Sequence, residues 1–183
     1  MALAQRVSPD EALERVRAAL GDSVTDGRID FGQVHVVVEP AKLADAARIL
    51  KEELGFVFFT FLSAIDWTAF EGRESEGLEL LVHLYAPDSA THVNVRVPLG
   101  VPGEKAISCQ SITGVFKGAL WHEREMHDMF GIGFEGHPHL VNLYLPEDFE
   151  GHPLLKSFQL PSRALVKPWP GAKDPDEAAA GGR

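Results

Sequence analysis

Proline is concentrated in the last third of the chain, and this distribution limits where regular structure can form. Seven of the twelve prolines in the 183-residue sequence follow Gly131. Proline lacks a backbone N–H donor and biases the residue before it toward extended geometry. The sequence therefore predicts two parts, a folded domain over residues 1–130 and an extended proline-rich tail over residues 131–183.

The first part alternates between helical and strand-like patterns. Ser8 and Pro9 suit the start of a helix that Gly21 ends, and residues 42–54 place apolar side chains on one helical face. Strand-like runs cover 34–39, 56–62, 78–85 and 93–97. Because 56–62 is continuously apolar, we expect that strand to be buried on both faces. The order predicts an α+β domain with a mixed four-stranded sheet and helices packed on one face.

Charge and cysteine content exclude several functions. A formal net charge of −10 disfavours binding to nucleic acid, which requires clustered cations. The single cysteine, Cys109, can neither form an internal disulfide nor hold an iron–sulfur cluster alone, which fits a reducing compartment. The most hydrophobic run, 56–65, is far shorter than the roughly 20 residues that span a bilayer. We therefore expect membrane attachment only through partner proteins.

The tail is apolar enough to require a surface to cover it. Its apolar side chains show no helical or strand period, so two interpretations stay open: the tail wraps around another protein, or it folds back over its own domain. The side chains concerned are Leu140, Leu143, Tyr144, Leu145, Phe149, Leu154, Leu155, Phe158, Leu160 and Trp169.

Two patterns look like cofactor sites but have the wrong context. The stretch 121–127 suggests a zinc-binding helix, yet His122 and His127 are five residues apart and would point away from each other. The run 131–136 matches the G-x-G-x-x-G letters of dinucleotide-binding turns, but a charged helical segment precedes it instead of a strand. We expect no metal site here, and we expect Gly131 to end a helix.

A charged run precedes that glycine. On a helix, Arg124 would pair with Asp128 and Glu123 with His127, each four residues apart. The opposite face would carry an apolar stripe of His122, Met126, Met129 and Phe130. One packed face and one charged face are more typical of an interface than of a catalytic site.

A pentapeptide occurs twice in the tail, at 134–138 and again at 149–153. Each copy reads Phe-Glu-Gly-His-Pro. Glycine permits a tight bend and proline holds the preceding histidine extended, so each copy should present an imidazole at a corner of the chain. Such corners suit hydrogen bonds to the backbone of a partner.

These motifs resemble a known family. The stretches 123–125, 128–132, 136–138, 145–148 and 151–154, with the upstream stretches 62–67, 83–85 and 96–99, are similar in kind and order to the signature of the C-type subunit of respiratory complex I. That family is the 30-kilodalton subunit of NADH-quinone oxidoreductase. The resemblance covers most of the chain.

The resemblance implies a peripheral-arm subunit that carries no cofactor and has no catalytic residue. It would contact the quinone-site subunit, termed D in complex I, together with subunits such as B and I, on the cytoplasmic side of the cell membrane. The holoenzyme would pass electrons from NADH through FMN and iron–sulfur clusters to quinone, and translocate protons. The subunit interface implied by the motifs comprises Glu123, Arg124, Glu125, Asp128, Phe130, Gly136, His137, Pro138, Gly151, His152 and Pro153.

The sequence departs from the family pattern at four positions. Where family members usually carry arginine, tryptophan, arginine and aspartate, it has Asn142, Phe149, Leu155 and Ser157. The same fold is expected in membrane-bound hydrogenases and related complexes, so the equivalent subunit of such a complex is the alternative. A stand-alone metal-dependent enzyme is a third hypothesis.

Overall fold

A computed structural model describes residues 6–103 and 106–160. The elements along the chain are helix α1 (Pro9–Leu20), strands β1 (Val24–Asp30) and β2 (Gln33–Val38), helix α2 (Leu43–Glu52), strands β3 (Phe58–Asp66), β4 (Leu78–Ala86), β5 (Thr91–Gly100) and β6 (Ser108–Gln110), helix α3 (Ala119–Phe130) and strand β7 (Gly133–Glu135). The Ser8 side chain accepts a hydrogen bond from the Glu11 N–H, as the predicted cap requires.

The main sheet has five strands in the order β1-β2-β5-β4-β3. Strands β2 and β5 are parallel and the other pairs are antiparallel, so the sheet is mixed, as predicted. The prediction of four strands was wrong because it missed β1. That strand reads Val-Thr-Asp-Gly-Arg-Ile-Asp and lies at the sheet edge, where a largely polar sequence can form a strand by pairing with one neighbour.

The hydrophobic core lies between the sheet and the helices. Val34, Val36 and Val38 alternate along β2 with side chains that are only half-buried, and all three are fully buried. Val16 of α1 and Leu50 of α2 belong to the same buried cluster. This alternation indicates one covered face, because successive side chains of a strand point to opposite faces.

The strand predicted to be buried on both faces is instead the edge strand β3. Phe58 is 56% exposed and Phe59 is half-buried, whereas Leu62 is buried. Some of its apolar side chains are instead covered by α3, which packs directly against this strand. The centroids of the Phe59 and His122 rings lie 5.3 Å apart. The continuous apolar run therefore corresponds to a strand at the edge of the sheet that is covered by helix α3.

A second, two-stranded sheet joins the two ends of the α3 region. Strand β6 precedes α3, β7 follows it, and the two pair in parallel. Ile132 and Phe134 extend the core past residue 130. Residues 136–160 then run in turns and extended chain over α3, and the remaining predicted tail, including Trp169, lies outside the described residues.

Candidate interface around helix α3

The buried face of α3 includes a carboxylate. Ala119, Glu123, Met126 and Phe130 follow helical spacing, and all four are buried. Glu123 is 0% exposed. The prediction that Glu123 lies on the charged face of the helix, opposite the packed one, was therefore wrong. The spacing of Glu123 to Met126 and Phe130 was the signal that places it on the packed face.

Glu123 holds the segment before the helix. Its Oε1 accepts the Ile112 N–H at 2.8 Å, while Oε2 has no hydrogen-bond partner among the described residues. Burial raises the pKa of this carboxyl to about 7, because the charged form loses hydration that hydrogen bonding from Ser111 and Ile112 does not fully replace. Glu123 does not pair with His127 as predicted; the His127 ring instead donates to the Ile132 carbonyl at 2.9 Å.

Asp128 anchors the tail. Its Oδ2 accepts three consecutive backbone N–H groups, from Leu143 at 3.1 Å, Tyr144 at 2.8 Å and Leu145 at 3.0 Å. Burial alone would raise the pKa of this carboxyl, but the three N–H donors outweigh burial and lower it. The predicted Arg124–Asp128 pair does not form, because the carboxylate is occupied by backbone donors.

Arg124 binds the neighbouring residues of the same tail segment. Its Nε donates to the Val141 carbonyl at 2.9 Å and its Nη2 donates to the Asn142 carbonyl at 2.6 Å. The guanidinium carbon lies 5.1 Å from the centroid of the Trp121 ring. Arg124 and Asp128 therefore hold residues 141–145, a segment that we call the strap. Arg124 binds its carbonyl oxygens and Asp128 binds its N–H groups.

The two copies of the pentapeptide bind α3 through their imidazoles. His137 donates from Nε2 to the Leu120 carbonyl at 3.2 Å, and His152 donates from Nδ1 to the Asp128 carbonyl at 2.9 Å. The preceding glycines both turn with positive φ, as expected. The expectation of a partner's backbone was wrong, because both rings bind carbonyls of this chain's own helix. The Asp128 carbonyl lies in the last turn of α3, where carbonyls lack intrahelical donors.

His122 also binds a backbone group, because its Nδ1 donates to the Leu62 carbonyl at 3.1 Å. Within residues 6–103 and 106–160, no group of three or more His, Cys, Asp or Glu side chains is arranged to hold a metal ion.

The letters of the dinucleotide motif have a structural role. Gly131 ends α3 in the left-handed conformation, with φ of 75° and its N–H bonded to the His127 carbonyl. Gly133 begins strand β7, and Gly136 occupies a turn. The sequence interpretation is confirmed.

Gly131 also allows the second pentapeptide to approach. A Cβ atom at this position would lie 2.6 Å from Nε2 of His152. We expect Gly131→Ala to lower the free energy of unfolding by about 2 kcal/mol, since alanine is strained in this conformation and displaces the imidazole. Urea titration of the isolated chain measures the effect.

Gly136→Ala is the matched control, because Gly136 also has positive φ (85°) but a Cβ there meets nothing within 4 Å. The control should lose only the cost of backbone strain, about 1 kcal/mol. Equal losses in the two variants would show that the His152 contact does not stabilise the chain.

A further anchor lies outside the predicted residue set. Asp66, at the end of β3, accepts the Lys156 N–H at 2.8 Å through Oδ2. Its Oδ1 accepts hydrogen bonds from the N–H and hydroxyl of Thr68, and these donors lower the pKa of Asp66 against the opposing effect of burial. Asp66 directly follows the apolar part of β3, and its position at a strand end was the available signal.

The outer surface of the tail carries several exposed apolar side chains. Leu140 and Leu155 pack against the core, but other large side chains point away from it. We call the following exposed set the tail patch: Val141, Tyr144, Phe149, Leu154 and Leu160. Tyr144 is 63% exposed, and Trp121 of α3 is 58% exposed. The described tail thus contacts its own domain with one side and presents apolar groups with the other.

The predicted interface residues differ in how far they are buried in this chain. Glu123, Asp128 and Phe130 are buried, and Arg124, His137 and His152 are half-buried with their polar atoms bonded inside the chain. Glu125 and Pro153 are half-buried, whereas Gly136, Pro138 and Gly151 are exposed.

Comparison with known proteins places this arrangement in a family. Residues 36–164 match the family model described as respiratory-chain NADH dehydrogenase, 30 Kd subunit. The chain is 41% identical over 138 residues to the C-type subunit of NADH-quinone oxidoreductase from Roseiflexus sp. (strain RS-1), covering 74% of this chain and 75% of the relative. It is 29% identical to the C-type subunit from Salinispora arenicola (strain CNS-205), covering 75% of this chain and 55% of that relative.

Two solved structures share the fold. The membrane-bound sulfane sulfur reductase, an archaeal respiratory membrane complex, contains a chain with TM-score 0.68 and 25% identity, covering 82% of this chain and 85% of that one. The trypsin-resistant fragment (1-134) of Nqo5 matches with TM-score 0.59 and 25% identity, covering 72% of this chain and 98% of the fragment.

None of the helices in the described part of the chain combines the length and the apolarity that crossing a bilayer requires. The match over residues 36–164 and the identity to the C-type relatives agree with the motifs around α3. The chain belongs to the 30-kilodalton subunit family of respiratory-chain NADH dehydrogenases and is the C-type subunit of an NADH-quinone oxidoreductase-type complex.

Proposed function

We propose that this chain is a peripheral-arm subunit without a redox cofactor, and that it supports assembly of a proton-translocating NADH:quinone oxidoreductase by binding the quinone-site (D-type) subunit. The B-type and I-type subunits are further proposed neighbours, and attachment to the cytoplasmic side of the membrane would go through them. FMN, iron–sulfur clusters, NADH and quinone would be used by other subunits. The chain alone would have no activity.

The observation that supports this proposal is the two-sided tail. Eight hydrogen bonds hold residues 137–156 on the domain, through Arg124, Asp128, Asp66 and the two pentapeptide histidines. A segment fixed this firmly still leaves Tyr144 and Leu154 exposed. Fixed apolar side chains lose little conformational entropy on association, so the tail patch suits a permanent protein contact.

Replacing the tail patch tests the proposal. We expect Tyr144→Ser combined with Leu154→Ser to leave the stability of the isolated chain nearly unchanged, because both side chains are exposed. The tagged chain would be purified from native membranes in mild detergent. Recovery of the quinone-site subunit should fall at least tenfold, because the double variant removes two apolar side chains of the proposed interface and the binding energy they supply. Quantitative mass spectrometry measures the recovery.

Phe70→Ser is the control, because Phe70 is also exposed, at 47%, but lies in the β3–β4 connection. Its recovery should match that of the unmodified chain. Undiminished recovery with the double variant would refute the tail patch as the interface, and an unmodified chain that brings down no other subunit would refute the proposed function as a whole.

An equivalent subunit of a related complex is the second candidate. Its support is the likeness to a chain of the sulfane sulfur reductase complex, together with Asn142, which replaces an arginine expected of the family at a residue whose carbonyl Arg124 binds. The same purification separates the two candidates: a flavin-containing NADH-binding subunit among the partners indicates the NADH complex, and a hydrogenase-like set without it indicates the related one.

A further inference from the structure

The turn between β1 and β2 contains a residue in an unfavourable conformation. Phe31 and Gly32 form a two-residue hairpin connection with φ of 49° and 74°. Positive φ at both central positions defines a turn that prefers Asn-Gly or Asp-Gly, since a side chain beyond Asn or Asp is strained there. Phenylalanine is thus a poor choice for the fold itself.

Within the described residues, Phe31 buries almost none of its side chain, so packing does not offset this strain. Its side chain is 96% exposed, the largest value among the exposed large apolar residues of the described chain. Burial of a phenylalanine ring is worth about 2 kcal/mol when it occurs, and here it does not occur. A strained backbone combined with an exposed aromatic ring is the pattern of a side chain kept for contact with another molecule.

We infer that Phe31 is an anchor that inserts into an apolar pocket of a neighbouring subunit of the respiratory complex. The inference rests on the proposed function for the existence of that neighbour. The ring projects from the tip of a hairpin at the sheet edge, which is a convex feature that requires a concave partner. The family match begins at residue 36, so it assigns the turn no role.

The charges near the ring favour a protein over a membrane. The flanking Asp30 carboxylate is 45% exposed, at 3.8 Å from its Arg28 partner, and the whole chain carries a formal charge of −10. Anionic lipid would repel such a tip. A protein pocket with an apolar interior and a polar rim can bury the ring and meet Asp30 and Arg28 at its edge.

Phe31→Asn separates a contact role from a structural one. Asparagine tolerates positive φ, so the melting temperature of the isolated chain should rise by about 2 °C. Recovery of the partner subunits with the tagged full chain from native membranes should nevertheless fall at least tenfold. Phe31→Leu, which keeps an apolar side chain at the tip, should retain most of the recovery.

Gly32→Asn is the matched control, because it changes the second turn residue, which has open space around it, and keeps Phe31. Its recovery should equal that of the unmodified chain. A lower melting temperature for Phe31→Asn would overturn the inference in favour of a packing role, and unchanged recovery would overturn it directly. Dimerisation or vesicle binding by the isolated chain that Phe31→Asn abolishes would overturn it too, since the occupant would then be a second copy or lipid. Failure of the unmodified chain to recover partners would instead refute the proposed function.

Discussion

Replacing Asp128 by alanine should release the tail from α3. The substitution removes the acceptor of three N–H groups, which have no other partner in the described chain while the strap stays in place. We expect the docking of residues 137–156 to weaken by about 3 kcal/mol, the scale of charged hydrogen bonds lost with unsatisfied donors left behind. Trypsin cleavage after Lys156 should then accelerate roughly a hundredfold, since cleavage follows the population of the open form.

The pH dependence of docking gives a second readout of the same contact. The pKa of Asp128 lies below its ordinary value of 3.8 in the folded chain. The carboxylate therefore stabilises docking above pH 4, and this contribution is lost as the pH falls through the lowered pKa.

Asp148→Ala is the control for the trypsin experiment, because it removes an exposed tail carboxylate and should leave the cleavage rate unchanged. Equal cleavage rates for Asp128→Ala and Asp148→Ala would contradict the anchoring role.

Glu123 should make the domain less stable as the pH rises. Its folded pKa is about 7 against an ordinary value of 4.5. Between these values the folded chain retains a proton that the unfolded chain has released, so the free energy of unfolding decreases with increasing pH. The full difference is roughly 3 kcal/mol between pH 4 and pH 8. Denaturant titrations of the isolated chain across this range measure it.

Glu123→Gln should remove this pH dependence, because the amide keeps an oxygen for the Ile112 N–H and cannot ionise. Near pH 8 the variant should be more stable than the unmodified chain. Glu125→Gln, at a half-buried position off the buried stripe, should keep the original slope. An unchanged slope in Glu123→Gln would show that the carboxyl is solvated when ionised.

The sequence predicts elements well where local chemistry decides them. Ser8 and Pro9 define the start of α1, and Gly131 defines the end of α3, because caps depend on neighbouring residues. Strand β1 was missed because its pairing with β2, and not its own composition, makes it a strand. The edge position of β3 could not be predicted from its apolar sequence. Apolar side chains indicate that a strand is buried by other elements, but they do not indicate how many strands pair with it.

The sequence indicated which segments meet at α3 but not how they contact each other. The charged run lies within α3 and both copies of the pentapeptide bind that helix, whereas local spacing suggested pairs between side chains. In the structure, Asp128 and Arg124 bind backbone groups up to 18 residues away. Such contacts depend on the path of the tail, which has no periodicity for a sequence pattern to reveal.

Three of the hydrogen bonds between the tail and α3 use main-chain carbonyls of the helix. His137 and His152 bind the carbonyls of Leu120 and Asp128, and the Leu154 N–H binds that of Met129. Carbonyl groups persist whatever side chain the residue carries. A substitution of an exposed side chain of this helix, such as Trp121, would therefore leave these three hydrogen bonds in place, so the outer face of α3 can change its chemistry without releasing the tail.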